Sequence, residues 1–408
     1  MVYVMRNTLP YPFTEEQTLQ ILMSPSKHIA LSPHRLKKFH RSLLDWYSTH
    51  KRDLPWRHSD DPYAVWISEM MLQQTQVAQA RPYFERFMKH FPTVADLGKA
   101  PLDEVLKLWE GLGYYARARN LHRAARQIVH EHHEKVPDEI ETISKLPGIG
   151  PYTSAAVLSI AFGKNHAVVD GNVIRVISRL FHLTLNPSEA ATKQLITDLA
   201  NRILKKGRAA DFNQAMMELG ATVCTPRKPS CHQCPVNELC QAKKELDDPS
   251  VLPLKAIRKK RPHYKETACL IRQGHTLLII QKPLDGLLGG LWEFPGGRYQ
   301  DEHASLETSL IHNVKQSVDI TIEINQPMAI VKHAFTHFGI TLYGYYGALI
   351  DGEVRPLTCA DCRWVTLYEM KSFAFSKAHN MLIDAMYEDL NPQQLSLFDP
   401  NRKSDDSK

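Results

Sequence analysis

Four cysteines lie within one short segment and could together ligate metal. Cys224, Cys231, Cys234 and Cys240 follow the spacing C-x6-C-x2-C-x5-C in the segment CTPRKPSCHQCPVNELC. Structural zinc usually takes two close pairs of ligands separated by a longer loop, whereas one compact run of four thiolates is typical of an iron–sulfur cluster. A disulfide framework is disfavoured in a large chain that we expect to be intracellular. The spacing therefore favours an iron–sulfur cluster, with zinc as the alternative.

A turn rich in glycine and proline could bind a phosphate. In the segment LPGIGPYTS, Gly148 and Gly150 are framed by two prolines and precede an apolar helical stretch. The backbone N–H groups at such a helix N-terminus bind anions well. Tyr152 follows the turn directly, so we expect its side chain to face the molecule that carries the phosphate.

Two carboxylates are candidates for acid–base chemistry. Glu69 lies in the apolar segment WISEMMLQQT, and Asp170 ends the apolar run HAVVD before the helical segment GNVIRVISRL. Glu69 could instead lie on the solvated face of an amphipathic helix. Asp170 could be a helix N-cap, which is compatible with a functional role because a capping carboxylate can also face a ligand.

Helical periodicity dominates the first part of the chain and strand alternation the second. Helices are predicted from Ser32-Pro33, from Asp61-Pro62 through YAVWISEMMLQQTQVAQA, and near 102–109, 115–133, 151–162, 171–181, 188–205 and 211–221. Later, ETACLIRQGHTLLIIQK and GITLYGYYGALI alternate like strands, with a helix predicted near 303–316 between them. We expect an N-terminal extension (1–32), an all-α domain (33–241), a linker (242–262), an α+β domain (263–390) and a tail (391–408).

The charge distribution points to a polyanionic partner for the first half. Residues 1–240 contain 30 Lys and Arg against 23 Asp and Glu, whereas residues 241–408 contain 20 against 21. The positive excess therefore lies in the helical part, as expected for a surface that meets nucleic acid. No apolar run approaches the length of a membrane span, and the N-terminus lacks a signal-peptide pattern, so we expect a cytoplasmic protein.

Together these motifs resemble the helix-hairpin-helix DNA glycosylase superfamily. The segments SEMMLQQTQV and GLGYYARARNL narrow the resemblance to the adenine DNA glycosylase family, over roughly residues 33–390. The resemblance implies a nucleoid-associated, monomeric enzyme of base excision repair that removes adenine mispaired with 8-oxoguanine or guanine in double-stranded DNA. It also implies that the four cysteines hold a 4Fe–4S cluster.

The resemblance assigns roles to the residues of the active site. Glu69 would protonate adenine at N7 and handle the nucleophilic water, and Asp170 would stabilise the developing oxocarbenium ion. Tyr152 and Asn172 would orient these groups. The related endonuclease III branch has a lysine at the position of Tyr152, and a phenol cannot form the Schiff base that leads to strand cleavage. The sequence therefore predicts a monofunctional glycosylase rather than a bifunctional glycosylase/lyase.

Further residues match family positions that contact DNA. Gln74 and Tyr114 would wedge into the duplex while adenine is flipped out, although Tyr114 could instead be a core residue. Gly148 and Gly150 would bind phosphate through the hairpin backbone. Arg52, Leu54 and Trp56 resemble the lining of the adenine pocket. Arg227 and Lys228, within the cysteine loop, are expected to contact phosphate.

The second half resembles a Nudix domain that has lost its catalytic carboxylates. Gly296 and Glu302 fit the start of the hydrolase motif, but the metal-binding stretch is replaced by Leu310–Lys315, LIHNVK. Nucleotide pyrophosphatase activity is therefore not expected. The family reads 8-oxoguanine with a Phe-Ser-His loop in this domain. Here Phe335, Thr336 and His337 occupy the loop, with Thr in place of Ser.

The C-terminal tail contains a short apolar motif in a polar context. Gln394, Leu395, Ser396, Leu397 and Phe398 resemble the peptide with which bacterial repair proteins bind the sliding clamp. The alternative is a final strand or helix that packs on the second domain.

Overall fold

The computed structural model describes residues 31–254, 261–300, 302 and 304–389. Two compact units are formed: the first comprises the described residues of Met1–Val77 and Gln127–Arg258, and the second those of Ala78–Arg126 and Lys259–Lys408. The predicted N-terminal extension, except for its last two residues, and the predicted tail with the motif from Gln394 to Phe398 lie outside the described residues.

The described part of the chain before His263 contains helices and no strands. The α-helices are α1 (Pro33–His50), α2 (Pro62–Leu72), α3 (Val77–His90), α4 (Val94–Lys99), α5 (Leu102–Trp109), α6 (Ala116–Glu131), α7 (Ile140–Ile143), α8 (Pro151–Ile160), α9 (Gly171–Leu180), α10 (Ala190–Ile203), α11 (Ala209–Thr222) and α12 (Gln241–Glu245). The predicted all-α class of this part is confirmed. The prediction of one helix from Asp61-Pro62 to Ala80 is wrong, because α2 ends at Leu72 and the positive φ of Gln74 turns the chain before α3.

One face of each of α1, α9, α10 and α11 forms the main core of the first unit. Helix α1 begins at a cap in which Ser32 accepts a hydrogen bond from the Arg35 amide, with proline at the first helical position. Its buried face carries Phe39, whose ring meets Phe212 of α11 edge-on at 6.1 Å. This core fixes α9 and α11, whose residues reach the site described below.

The second unit contains a seven-stranded sheet. The strands are β1 (His263–Gln273), β2 (Thr276–Gln281), β3 (Trp292–Glu293), β4 (Gly296–Arg298), β5 (Thr321–Ala334), β6 (Gly339–Asp351) and β7 (Asp361–Val365), and the later helices are α13 (Leu306–Val318), α14 (Leu367–Met370) and α15 (Lys377–Asp389). Five strands run in the order β3-β2-β1-β6-β5, with β4 on β1 and β7 on β2. The central pair, β1 and β6, is parallel, and the other pairs are antiparallel.

Helices cover both faces of this sheet. Along β1, Ala268 and Leu270 point into the core under α15, and Cys269 and Ile271 point into the core under α13. Because successive side chains of a strand point to opposite faces, a strand buried on both faces is continuously apolar. The predicted α+β class of the second half is confirmed, and the helix predicted near 303–316 is α13.

Residues 78–126 belong to the unit that contains the sheet. The Glu110 carboxylate accepts hydrogen bonds from the Phe375 amide at 2.9 Å and from the Asn380 side chain at 2.8 Å. Lys107 donates to the Phe373 carbonyl at 2.9 Å. The boundary between the two compact units therefore differs from the domain boundary that the sequence predicted at residues 241–263. Residues 78–126 lie before that boundary, but hydrogen bonds that span more than 260 positions join them to the second unit.

The predicted linker is partly helical. Within it lie most of α12 and a 3₁₀ turn at Pro249–Val251, which begins at a cap by Asp248. Among the described residues, no helix combines the length and the apolar character needed to cross a bilayer.

Candidate active site

Glu69 lies in a helix that is buried on every side. Helix α2 begins where Asp61 accepts a hydrogen bond from the Tyr63 amide, and all residues from Tyr63 to Met71 are buried. Glu69 itself is only 5% exposed. The alternative of a solvated helix face is therefore excluded, and a carboxylate in this position must have a polar partner.

That partner comes from the glycine-rich turn. Gly148 has φ 77°, a conformation that glycine adopts without strain, and Gly150 precedes α8, which has Pro151 at its first position. The next residue, Tyr152, donates a hydrogen bond from its hydroxyl group to the Glu69 carboxylate. Burial raises the pKa of Tyr152 well above its usual value, so the phenol stays a donor.

The surroundings of Glu69 favour its protonated form. Burial raises its pKa to about 7, the Tyr152 hydrogen bond opposes this rise, and the negative charge of Asp170 adds to it. The positive charge of Arg57 acts in the opposite direction. Glu69 can therefore hold a proton near neutral pH and give it up, as a general acid requires.

Asp170 is held at the N-terminus of α9 by its own hydrogen bonds. One carboxylate oxygen accepts from the Val173 amide and the other from the Asn172 side chain, each at 2.7 Å. Asn172 is oriented in turn by Arg175, which donates to its carbonyl oxygen at 2.7 Å. Burial raises the pKa of Asp170, and these hydrogen bonds lower it. The cap predicted for Asp170 is present, and its carboxylate lies close enough to Glu69 to affect it electrostatically.

A buried charge cluster lies beside the pocket residues predicted from the segment RDLPWR. Glu218 of α11 has no exposed side-chain surface, and it pairs with Arg52 at 2.7 Å and with Arg57 at 2.7 Å. Leu54 and Trp56, between these arginines, are buried. The sequence analysis did not identify Arg57 and Glu218 as site residues. Each is an ionisable residue beside or within an apolar stretch, and that pattern could have indicated a buried charge.

The four predicted cysteine ligands converge on one cavity of about 30 Å³. Arg179 of α9 lines the same cavity and donates to the Cys224 sulfur at 3.3 Å and to the Thr225 carbonyl at 2.8 Å. The four thiols therefore lie where they could together ligate one cluster.

Three predicted DNA contacts of the first unit are at its surface. Gln74, just after α2, is exposed and has φ 56°, which turns the chain sharply at the helix end. Arg227 and Lys228 are exposed in the cysteine loop, where the Lys228 carbonyl accepts from Thr225 at 2.7 Å. The loop therefore presents two cations to solvent.

The second unit brings Tyr114 to the loop between β5 and β6. The Tyr114 hydroxyl donates to the Thr336 hydroxyl at 2.8 Å, and its ring meets the His337 ring edge-on at 6.5 Å. Phe335 stacks on Phe338 with ring centroids 4.7 Å apart, so it anchors the loop while Thr336 and His337 are exposed. Tyr114 is half-buried with φ 50°, so it is not a plain core residue.

Helix α13 occupies the place of the Nudix catalytic helix and contains one carboxylate. This is Glu307, which accepts a hydrogen bond from the Tyr345 hydroxyl at 3.1 Å. From Leu310 to Val318 the helix contains no Asp or Glu. No set of carboxylates is therefore available on this helix to hold a divalent cation for hydrolysis.

Family comparisons agree with both halves of the chain. Residues 67–202 match the HhH-GPD superfamily base excision DNA repair proteins, residues 224–240 the iron–sulfur binding domain of endonuclease III, and residues 267–385 the NUDIX domain. The segment from Cys224 to Cys240 thus binds an iron–sulfur cluster.

Individual relatives cover most of the chain. The adenine DNA glycosylase of Homo sapiens is 36% identical over 89% of this chain and 76% of its own length. That of Rattus norvegicus is 37% identical over 89% of this chain and 80% of its own length. Among solved structures, a thermostable thymine-DNA glycosylase is 34% identical and covers 52% of this chain and 98% of that one, with a TM-score of 0.48.

Proposed function

The chain belongs to the adenine DNA glycosylase family, and we propose that it removes adenine paired with 8-oxoguanine or guanine. It is a base excision repair enzyme that binds DNA and hydrolyses N-glycosyl bonds. The mispair specificity rests on the features argued below, and the observation that carries the proposal is a buried, protonatable Glu69 paired with a tyrosine.

Glu69 is the proposed proton donor. Cleavage of the bond between adenine and deoxyribose needs a proton on the leaving base, and the family resemblance assigns that proton to N7. A carboxyl with a pKa of about 7 is partly protonated at neutral pH, so a proton is available to the leaving base. After the transfer, the carboxylate accepts a proton from the attacking water, while the Tyr152 hydroxyl keeps it oriented.

Asp170 is the proposed stabiliser of the oxocarbenium ion. The hydrogen bonds from Val173 and Asn172 hold its carboxylate in one orientation and favour its charged form. Two carboxylates with different protonation states are the usual solution for glycosidic chemistry. Tyr152 provides no amine, so water is the proposed final nucleophile and the enzyme is monofunctional.

Adenine must leave the base stack of the DNA duplex to reach these groups. Flipping costs a few kcal/mol, and we propose that Gln74 and Tyr114 offset it by filling the space in the duplex. Arg52, Leu54 and Trp56 would line the adenine pocket, and the backbone at Gly148 and Gly150 would bind a phosphate at the N-terminus of α8. Arg227 and Lys228 would contact other phosphates of the DNA backbone.

The loop Phe335-Thr336-His337 is the proposed reader of 8-oxoguanine. Thr336 carries a hydroxyl that can exchange its bond to Tyr114 for one to the lesion. The added methyl group, relative to serine, narrows the space at the loop tip and is expected to change affinity rather than to abolish recognition.

The cluster is proposed to be of the 4Fe–4S type. The segment from Cys224 to Cys240 matches the iron–sulfur binding domain of endonuclease III, and all four cysteines line one cavity. One compact run of four thiolates is typical of such a cluster. Analysis of iron and acid-labile sulfide should give four of each per chain, and two of each or a zinc content of one would refute the assignment.

The tail motif is the proposed contact with a bacterial sliding clamp. It comprises the five residues Gln394, Leu395, Ser396, Leu397 and Phe398, which lie outside the described residues. Leucine and phenylalanine anchors in a polar terminus fit short-peptide recognition. Clamp binding would direct the enzyme to the nucleoid, at newly replicated DNA. The domain boundaries at 33–241 and 263–390 are likewise proposed.

Incubation with a duplex that contains adenine opposite 8-oxoguanine, followed by alkali, tests the function. The strand with adenine should break only after alkali, because excision leaves an abasic site without strand cleavage. A duplex with adenine opposite thymine is the control and should stay intact. Intact strands after alkali would refute adenine removal, and breaks before alkali would refute the monofunctional mechanism.

A further inference from the structure

The loop that carries Tyr114 has a constrained backbone. This loop, which we call the wedge loop, joins α5 to α6 and runs from Glu110 to Tyr115. Its φ angles are 90° at Gly111, 77° at Gly113 and 50° at Tyr114. A left-handed conformation at a tyrosine costs free energy and persists only where neighbouring contacts hold it. The contacts that hold the wedge loop therefore determine where the Tyr114 ring lies.

The start of the wedge loop is held against α3. The Tyr83 hydroxyl of α3 donates to the backbone carbonyl of Glu110 at 2.9 Å. The next amide, that of Gly111, donates to the Tyr115 hydroxyl at 3.0 Å. A Cβ atom added at Gly111 would lie only 2.5 Å from the Tyr83 oxygen, so the loop and α3 are in close contact. The first two residues of the loop thus have one defined position.

The Glu110 carboxylate joins this position to the part of the unit that contains the sheet. One oxygen accepts from the Phe375 amide at 2.9 Å and from the Asn380 side chain at 2.8 Å, and the other accepts from Lys107 at 2.6 Å. The Glu110 side chain is 16% exposed. Hydrogen bonds to an ionised group are stronger than those between neutral groups. Since Asn380 belongs to α15, this carboxylate connects the wedge loop to that helix.

The other end of the wedge loop contacts the loop Phe335-Thr336-His337, called the reading loop below. There the Tyr114 hydroxyl donates to the Thr336 hydroxyl at 2.8 Å. The reading loop directly follows β5, and β5 packs under α15, where Val331 and Leu382 belong to one core. Both ends of the wedge loop are therefore attached to the layer that α15 and β5 form.

We propose that Glu110 is a positioning residue that couples the reading of 8-oxoguanine to the insertion of Tyr114. The proposal rests on the function proposed above. When Thr336 exchanges its bond to Tyr114 for one to the lesion, the Glu110 carboxylate keeps the wedge loop attached to α15. Binding of the lesion then favours the inserted position of Tyr114. Guanine lacks the O8 and N7–H groups of 8-oxoguanine, so excision opposite guanine depends less on this connection.

Single-turnover excision of adenine opposite 8-oxoguanine and opposite guanine, with the full chain, tests the proposal. Glu110→Ala should lower the rate opposite 8-oxoguanine about tenfold and the rate opposite guanine much less, so the ratio of the two rates falls. Glu110→Gln keeps an oxygen that can accept from Phe375 and Asn380, and it should retain most of the ratio. In a Thr336→Ala background, Glu110→Ala should lower the ratio less than in the wild type, because both residues act on one connection.

Asp103→Ala is the matched control. Asp103 lies at the opposite end of α5 from the wedge loop, and it accepts a hydrogen bond from the Gln281 side chain of β2 at 2.8 Å. It therefore also joins the helical segment to the sheet, but without touching the wedge loop. The ratio of the two rates in Asp103→Ala should equal that of the wild type.

Two results would overturn the proposal: an unchanged ratio in Glu110→Ala, or an equal fall of the ratio in Asp103→Ala, which would show a general effect of attachment to the sheet. If Glu110→Ala does not fold, Asn380→Ala decides. It removes one hydrogen bond of the carboxylate and should lower the ratio about threefold, and an unchanged ratio there overturns the proposal as well. Absence of excision by the wild type would refute the glycosylase function and the coupling with it, whereas wild-type excision with an unchanged ratio in Glu110→Ala refutes the coupling alone.

Discussion

Replacing Glu69 by glutamine should destroy activity and stabilise the protein at the same time. Glutamine retains the shape and can still accept the Tyr152 hydrogen bond, but it has no proton to give. Loss of a general acid lowers rates by roughly 10²- to 10⁴-fold. Binding of a duplex with adenine opposite 8-oxoguanine should persist, because the side chain keeps its volume.

The gain in stability follows from the raised pKa. The pKa of Glu69 is about 7 in the folded protein against 4.5 for the free side chain, so folding favours the protonated form. That contribution to stability is fully present below pH 4.5 and is lost as the pH rises through 7. The shift corresponds to about 3 kcal/mol. Glutamine never ionises, so the variant avoids this loss and should exceed wild type by up to about 3 kcal/mol at pH 8.

Urea unfolding at pH 5, 6, 7 and 8, together with single-turnover excision, measures both effects. The stability difference between variant and wild type should grow with pH and level off above pH 7. Glu189→Gln is the matched control, since it removes an exposed carboxylate at the start of α10 and should change neither quantity. A stability difference that stays constant with pH would refute the raised pKa, and wild-type excision by Glu69→Gln would refute its role as the acid.

Three further outcomes are expected. Tyr152→Lys should place an amine beside the sugar carbon, so borohydride should trap more protein–DNA adduct than with wild type; an unchanged yield would mean that this side chain does not face C1′. Thr336→Ala removes the hydroxyl that accepts the hydrogen bond of Tyr114. In parallel rate measurements, excision of adenine opposite 8-oxoguanine should fall by about threefold to tenfold, and excision opposite guanine should change less. Equal losses on both substrates would refute a lesion-reading role. Leu397→Ala combined with Phe398→Ala should abolish capture of purified bacterial clamp without altering excision on naked duplex, and equal capture by variant and wild type would refute the tail proposal.

Local motifs account for what the sequence predicted well. The spacing of Cys224 to Cys240, the glycine-rich turn before Tyr152 and the capping aspartate at the start of α9 each lie within one short segment. Hydrophobic periodicity likewise predicted most of the longer helices and the change from helices to strands, because it depends on neighbours along the chain. It did not predict the break between α2 and α3.

Residues brought together from distant segments were not predictable in this way. Arg57 and Glu218 form an ion pair across 161 positions, and nothing in either segment names the other as a partner. The parallel pairing of β1 with β6 and the packing of residues 78–126 with the sheet are also long-range. Such contacts depend on which helices and strands pack against each other. Local sequence patterns say little about this packing.

The sequence by itself determined which groups are available for chemistry: two carboxylates, a tyrosine in place of a lysine, four clustered thiols, and a second domain without catalytic carboxylates. Only the tertiary structure decided their chemical state. Glu69 favours its protonated form, as its proposed role as proton donor requires, because a helix buried on every side removes it from water and Tyr152, 83 positions away, lies at its carboxylate. Desolvation is a property of everything packed around a group, so it cannot be deduced from the residues beside it in the chain.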